Sequence, residues 1–434
     1  MTAPATLAAS VTSPASAVRV IVMESDAAPA ELGGTIAKIL AGTISDSGDV
    51  ALSVSLAESS AGSAILLASG GAPRVLLRAG DAAPGGGRYK AFSDLDLALL
   101  SIESARKPIL LFRAELAGGP ASEGIFLWQP EDVEVVALAG QPSPRGHTYK
   151  SFSHLSIISA HPILVLSKLA FVATMEDGKK SVMLKNSSDT LYENLTTGDV
   201  IGPRANEVVN DFTISRLGFS LSCIVQVHRK GNKKVRYRKV ITIDGFLAVG
   251  NALKEGVRYP VLGKVKRIFE PPAMHFQQGY AAIAFKSGVS ALATRDIDGA
   301  SEVFAKTGDT TADVPGETIE SFGPPISSSF RLRTFDETGE ISGPAGIISP
   351  VRLSGGRMAL WLRVFTHAVP RLDGTVRLLL IGGSATLDGQ ELTLRSFTPV
   401  KLSNRGALLL RGTVGEGDTA RDGLFVMDGL FDEQ

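Results

Sequence analysis

The chain has 434 residues, with Lys+Arg and Asp+Glu both at 44, so it carries no net charge and no global field toward nucleic acid or membrane. Hydrophobic residues make up 44% and aromatics 6%, and Gly contributes 46 residues, which suits a packed core cut by many tight turns and excludes a disordered chain. A single cysteine, Cys223, excludes an intramolecular disulfide and a Cys-based zinc site, and no run of 18 apolar residues predicts a membrane-spanning helix.

Residues 1–17 (Ala, Ser, Thr and Pro, without a basic start or an apolar stretch) are expected to form a flexible tail. Their composition predicts a cytoplasmic protein, or a secreted one whose signal peptide is absent from this chain. An isolated strand, VRVIVMESD at 18–26, follows.

From there the sequence repeats itself seven times. Residues 80–95 read GDAAPGGGRYKAFSDL and residues 140–155 read GQPSPRGHTYKSFSHL, 60 positions apart, with weaker copies starting at Ser25, Gly198, Gly250, Gly308 and Gly383. Each copy opens on a Gly-Asp/Pro/Gly joint and continues into a strand bearing Phe92, Phe152, Phe212, Phe269, Phe322 or Phe397, with Ile39 in the first copy. A second strand follows a Gly turn (45–56, 354–364, 403–414), a third carries Gly-Ile/Leu-Phe (123–128, 422–427), and a fourth (73–80, 133–140) leads to the next joint. This period predicts an all-β, seven-bladed β-propeller spanning 18–434. The chain ends after a third strand, so residues 18–24 are expected to complete the last blade and close the ring. The interval from Gly308 to Gly383 is long, and the excess at 327–346 reads either as a lid or as a tolerated surface loop.

The joint Asp residues, Asp26, Asp81, Asp199 and Asp309, repeat with the blades, which favours a role in capping the turn over a ring of ligands. Tyr89–Lys90 and Tyr149–Lys150, with Arg88, Arg145, His147 and His154 nearby, read two ways: as acid–base chemistry at a channel mouth, with Tyr89, Lys90, His147, Tyr149 and Lys150 as catalytic candidates, or as Tyr packed on a neighbouring blade and Lys in solvent. The stretch HRKGNKKVRYRK at 228–239 is a basic hairpin. Arg229, Lys230, Arg236, Arg238 and Lys239 are the anion-binding candidates, with Tyr237 as a stacking plane; the competing reading is an edge strand defended by charge. The six His form no HxH or HxxxH pair and Asp296-Ile-Asp298 lacks a full calcium loop, so neither metal nor cofactor is expected.

The GDxAPGG-type joint, the Phe strand and the Gly-Ile-Phe strand resemble those of bacterial β-propeller repeat proteins, along nearly the whole chain and most strongly at 78–156 and 381–429. That resemblance implies the propeller fold, a secreted or surface location for many members, and no catalytic residues. Three functions stay open: a binding module with an anionic partner, nucleic acid being disfavoured by the net charge; an enzyme (hydrolase, lyase or small-molecule tailoring enzyme) with a pocket at the channel mouth; or a structural subunit of a larger assembly, which would need an exposed apolar patch. Oligomeric state is not legible.

Overall fold

A computed structural model describes residues 18–431 apart from 103–104, 131, 159–167, 187–189, 202–205, 215–220, 245–246, 260–262, 270–272, 276–277, 296–300, 311–313, 329–333, 336–340, 368–374, 381–383, 388–389 and 416. The strands form seven antiparallel sheets in chain order, each a blade whose first strand is innermost and whose fourth lies at the rim. Blades one to three are four-stranded sheets; blades four to seven carry short additional pieces, paired with the first strand in blades four, five and seven and with the second in blades five and six.

The blade strands read as apolar runs because both faces are covered. In blade one, Ser63–Ala68 is buried throughout. Its Ala64 and Leu66 join Leu409 and Val426 of blade seven, while Ile65 and Leu67 join Tyr89, Phe92 and Phe112 of blade two. The same alternation generates seven apolar clusters, one between each pair of neighbouring blades, so the core is itself a ring.

The seam between blades seven and one closes as the missing last strand predicts. Val18–Met23 pairs antiparallel with Arg421–Met427, Val18 opposite Met427 and Met23 opposite Gly423. Arg421 secures the corner by donating to the Glu24 carbonyl at 2.7 Å and to Asp26 Oδ1 at 2.5 Å.

The described joints are built alike; Gly383, which opens the last copy, lies outside the described residues. The Gly80, Gly140, Gly198 and Gly308 amides donate to the carbonyls of Tyr89, Tyr149, Val209 and Ile319. Each joint Asp accepts, through Oδ2, the amide three residues earlier: Asp26 from Met23, Asp81 from Arg78, Asp199 from Thr196 and Asp309 from Lys306. These carboxylates hold the turn, which is the capping role their repetition suggests. The fifth joint departs from the sequence expectation. Gly250 lies within the strand Leu247–Lys254, and Gly256 makes the joint hydrogen bond, to Val265. The register shifts accordingly: Ile268, fully buried, occupies the slot assigned to Phe269, whose ring is half-buried under the Arg267 guanidinium. The motif was misplaced because Val257 stands where the first, second, fourth and sixth joints carry Asp and the third carries Gln.

In blade six, Ile326–Ser327 and Thr334–Phe335 both pair with the strand Ile341–Leu353. The described part of the 327–346 excess therefore extends the sheet; the rest lies outside the described residues.

Candidate anion-binding surface

In blades three to six the second-to-third-strand hairpin lies beside the blade's joint, as the Lys286 amide on the Lys264 carbonyl and the Ser354 amide on the Thr318 carbonyl show in blades five and six. The Thr148 carbonyl accepts the Glu176 amide in blade three, and the Asn206 carbonyl accepts the Lys230 amide in blade four. Joints and hairpins thus share one face.

The blade-four hairpin is the basic one. Arg229 and Asn232 face each other across Lys230–Gly231, and Gly231 supplies the positive φ of +81° the turn requires. The next pair is His228 with Arg236, so Lys233, Lys234 and Val235 bulge out of the ladder, and Asn232 Oδ1 accepts the Lys234 amide at 3.1 Å. Arg229, Lys230, Lys233, Lys234 and Arg236 are exposed, and among the described residues none meets a carboxylate. The strand Asn232–Asp244 lies between Leu221–Arg229 and Leu247–Lys254, inside the sheet. It is not an edge strand, so defence of a sheet edge does not account for its charges.

Strand alternation separates the rest of the stretch. Arg236 and Arg238 share one face; Arg238 is half-buried and its amide donates to Glu255 Oε2 at 2.9 Å. Tyr237 and Lys239 share the other, which packs toward blade three. Two sequence expectations are corrected here. Lys239 is 1% exposed, and its ammonium is bound to Glu207 Oε2. A buried ammonium needs a paired anion, so it is held inside the blade and cannot meet a ligand. The Tyr237 hydroxyl donates to Glu207 Oε1, which also takes Lys254 Nζ at 3.2 Å, and the Lys254 ammonium lies 4.2 Å from the Tyr237 ring centroid. Tyr237 is therefore occupied as well. Burial opposes ionisation of Glu207, but hydrogen bonds from Lys239 and Tyr237 outweigh it and hold the carboxyl below its usual range. Burial, and then donation to Glu207, pushes the Tyr237 phenol up. Glu207 and Lys254 escaped the sequence reading, although the alternation of Tyr237, Lys239 and Ile241 already placed Lys239 on an apolar face.

The catalytic candidates are not brought together. Tyr89 is 2% exposed and packs on Phe92, Phe126 and Phe112 at centroid distances of 5.3, 5.4 and 5.9 Å. Tyr149 is buried equally and packs on Phe152 at 5.4 Å. Neither hydroxyl has a hydrogen-bond partner among the described residues, and burial pushes both phenols up, so they stay protonated. Lys90 and Lys150 fall on the opposite side of the strand and are exposed, Lys90 pairing with Glu115 at 3.0 Å. His147 Nδ1 is 3.4 Å from Asp177 Oδ2, and Arg145 donates to Thr196 and Asp199. His154 adopts φ +54° beside Ser153. Period-two geometry sends adjacent Tyr and Lys to opposite faces, which rules out their convergence on one substrate atom. Cys223 is fully buried, and burial pushes its thiol up, as for a small apolar residue.

Among the described residues no group of three or more His, Cys, Asp or Glu gathers to hold a metal ion, and no helix is long and apolar enough to cross a membrane. His161, Asp296 and Asp298 lie outside the described residues.

No family model and no curated protein matches the chain. Among solved structures it is similar to the β-propeller domain of the Trilobed protease from Pyrococcus furiosus, at 12% identity and a TM-score of 0.44, covering 91% of this chain and 98% of that one. It is also similar to a puromycin-hydrolysing peptidase of Mycobacterium tuberculosis, at 11% identity and a TM-score of 0.42, covering 89% of this chain and 52% of the other. The BP39L lectin from Burkholderia pseudomallei gives 11% identity and a TM-score of 0.39, with 89% and 99% covered. By its seven sheets, its ring of cores and its closed seam, the protein is a seven-bladed β-propeller.

Proposed function

We propose that the protein is a binding module that docks an anionic polymer on its joint face, with the blade-four hairpin as the contact. The observation that carries this reading is the set Arg229, Lys230, Lys233, Lys234 and Arg236: five exposed cations at one hairpin, without carboxylate partners among the described residues, in a chain of zero net charge. Elsewhere the basic side chains are commonly paired, as in Arg78–Asp81 at 3.0 Å, Lys180–Asp211 at 2.9 Å and Arg357–Glu317 at 2.6 Å. Neighbouring like charges repel even in water, so the tip is poised to gain from any anion that spans it. The cations follow one another along an exposed hairpin, which fits a chain of repeated anionic groups better than one small anion in a pocket.

The test is salt-gradient elution from heparin and from immobilised polyglutamate. Replacing Lys230, Lys233, Lys234 and Arg236 together by Ser, with Lys239 left in place, should bring elution to markedly lower salt. A sulfate preference shows as loss on heparin alone, and general polyanion binding as loss on both. Unchanged retention on both columns overturns the reading.

A further inference from the structure

The innermost strands carry a second arrangement, independent of the basic hairpin. Four residues beyond the buried Phe or Ile slot, blade one places Thr43, blade two Asp96, blade three Ser156 and blade seven Lys401. Three of these meet at one point. Lys401 Nζ lies 2.5 Å from Asp96 Oδ1, 2.7 Å from the Leu97 carbonyl and 3.3 Å from Thr43 Oγ1, which uses all three ammonium protons. Thr43 Oγ1 donates to Asp96 Oδ1 at 3.2 Å and accepts the Leu97 amide at 3.1 Å. Asp96 Oδ2 accepts the Ile157 amide, in blade three, at 2.6 Å. The side chains of Lys401 and Asp96 are 12% and 3% exposed.

Lys401 thus reaches past blade one to blade two, and Asp96 continues the chain to blade three. We infer that this clasp is a second lock on the ring: the strand Val18–Met23 shuts the seam at the rim of blade seven, and Lys401–Asp96 shuts it at the hub. The two act on opposite ends of the same sheet, so losing one leaves the other in force. The ion pair also has the energetics of a lock. A buried pair with all three ammonium protons used and both carboxylate oxygens hydrogen-bonded is tolerated, whereas removing one partner strands the other charge away from water. Blade six has apolar Ile326 at the equivalent position, packed toward blade seven's core, and the equivalents in blades four and five, 216 and 272, lie outside the described residues, so among the described residues the clasp belongs to one arc of the ring.

The test compares four proteins: wild type, a deletion of residues 1–24, Lys401→Met, and the combination. Lys401→Met should lower Tm by about 3–5 °C. The deletion alone should keep the wild-type radius of gyration in solution scattering, and the combination should expand. The inference is overturned if the deletion alone expands as far as the combination, or if Lys401→Met leaves Tm unchanged. Should the truncated proteins fail to fold, hydrogen exchange on full-length Lys401→Met decides. The Leu97 and Ile157 amides, in different blades, should lose protection together by about tenfold or more, and undiminished protection at both overturns it.

Discussion

At the residue scale, the backbone explains more of the repeat than the side chains that mark it. Gly80, Gly140, Gly198, Gly256 and Gly308 all hold φ between +86° and +100° at the joint, and Ser25 holds +72° in the same position. A non-glycine residue there is strained by roughly 1–3 kcal/mol. Ser25→Gly should therefore raise stability in chemical denaturation by about 1 kcal/mol, and a loss would mean the Ser side chain contributes more than its backbone costs. Tyr149 makes the opposite point. Its hydroxyl is buried without a partner among the described residues, so Tyr149→Phe should leave stability within about 1 kcal/mol of wild type or above it. A clear loss would reveal a polar contact at that hydroxyl. The role of the joint Asp residues was legible from their repetition, because a residue that serves every blade recurs in every blade. The role of Lys239 was not, because its partner Glu207 lies 32 positions away in another strand.

At the scale of the element, alternation sorts a run of charge into two jobs. Within Asn232–Asp244, Arg236 is left in solvent while Lys239, three residues on, anchors the blade. Two buried carboxylates make this anchoring sensitive to acid. Glu207 and Glu193 both have folded-state pKa values below their usual range; for Glu193, burial is outweighed by the hydroxyls of Ser143, Ser181 and Thr196 and by the nearby Arg145 charge. A lowered folded pKa contributes stability that is present above the unfolded value, about 4.3, and is lost as pH falls through the folded one. Glu123, whose carboxyl burial pushes up, works the other way and gains on protonation. Tm should fall as pH drops from about 5 to about 3, and Glu193→Gln should make that fall shallower; an identical slope would remove Glu193 from the account. The misplaced fifth joint belongs to this scale as well. Gly250 offers the right residue, but the hydrogen bond to the next strand requires Gly256.

At the scale of the whole molecule, stability is circular: seven inter-blade clusters each depend on both neighbours, and the seam depends on residues roughly 400 positions apart, Arg421 with Glu24 and Asp26. Deleting residues 1–24 removes a rim strand and exposes the edge of Arg421–Met427, so Tm should drop by many degrees; an unchanged Tm would show that the strand adds nothing to the ring. The sequence by itself determined the number of blades, the closing role of residues 18–24, the slot residues of six blades and the location of the basic hairpin. Periodicity and local turn chemistry encode these within a few residues of each other. Only the tertiary structure decided that Tyr89 and Tyr149 are core, that Lys239 is bound to Glu207 while the tip cations meet no carboxylate among the described residues, and that Lys401 meets Asp96 across the hub. Those outcomes depend on which faces of distant strands meet when the ring closes, and a buried charge or hydroxyl takes its meaning from that partner.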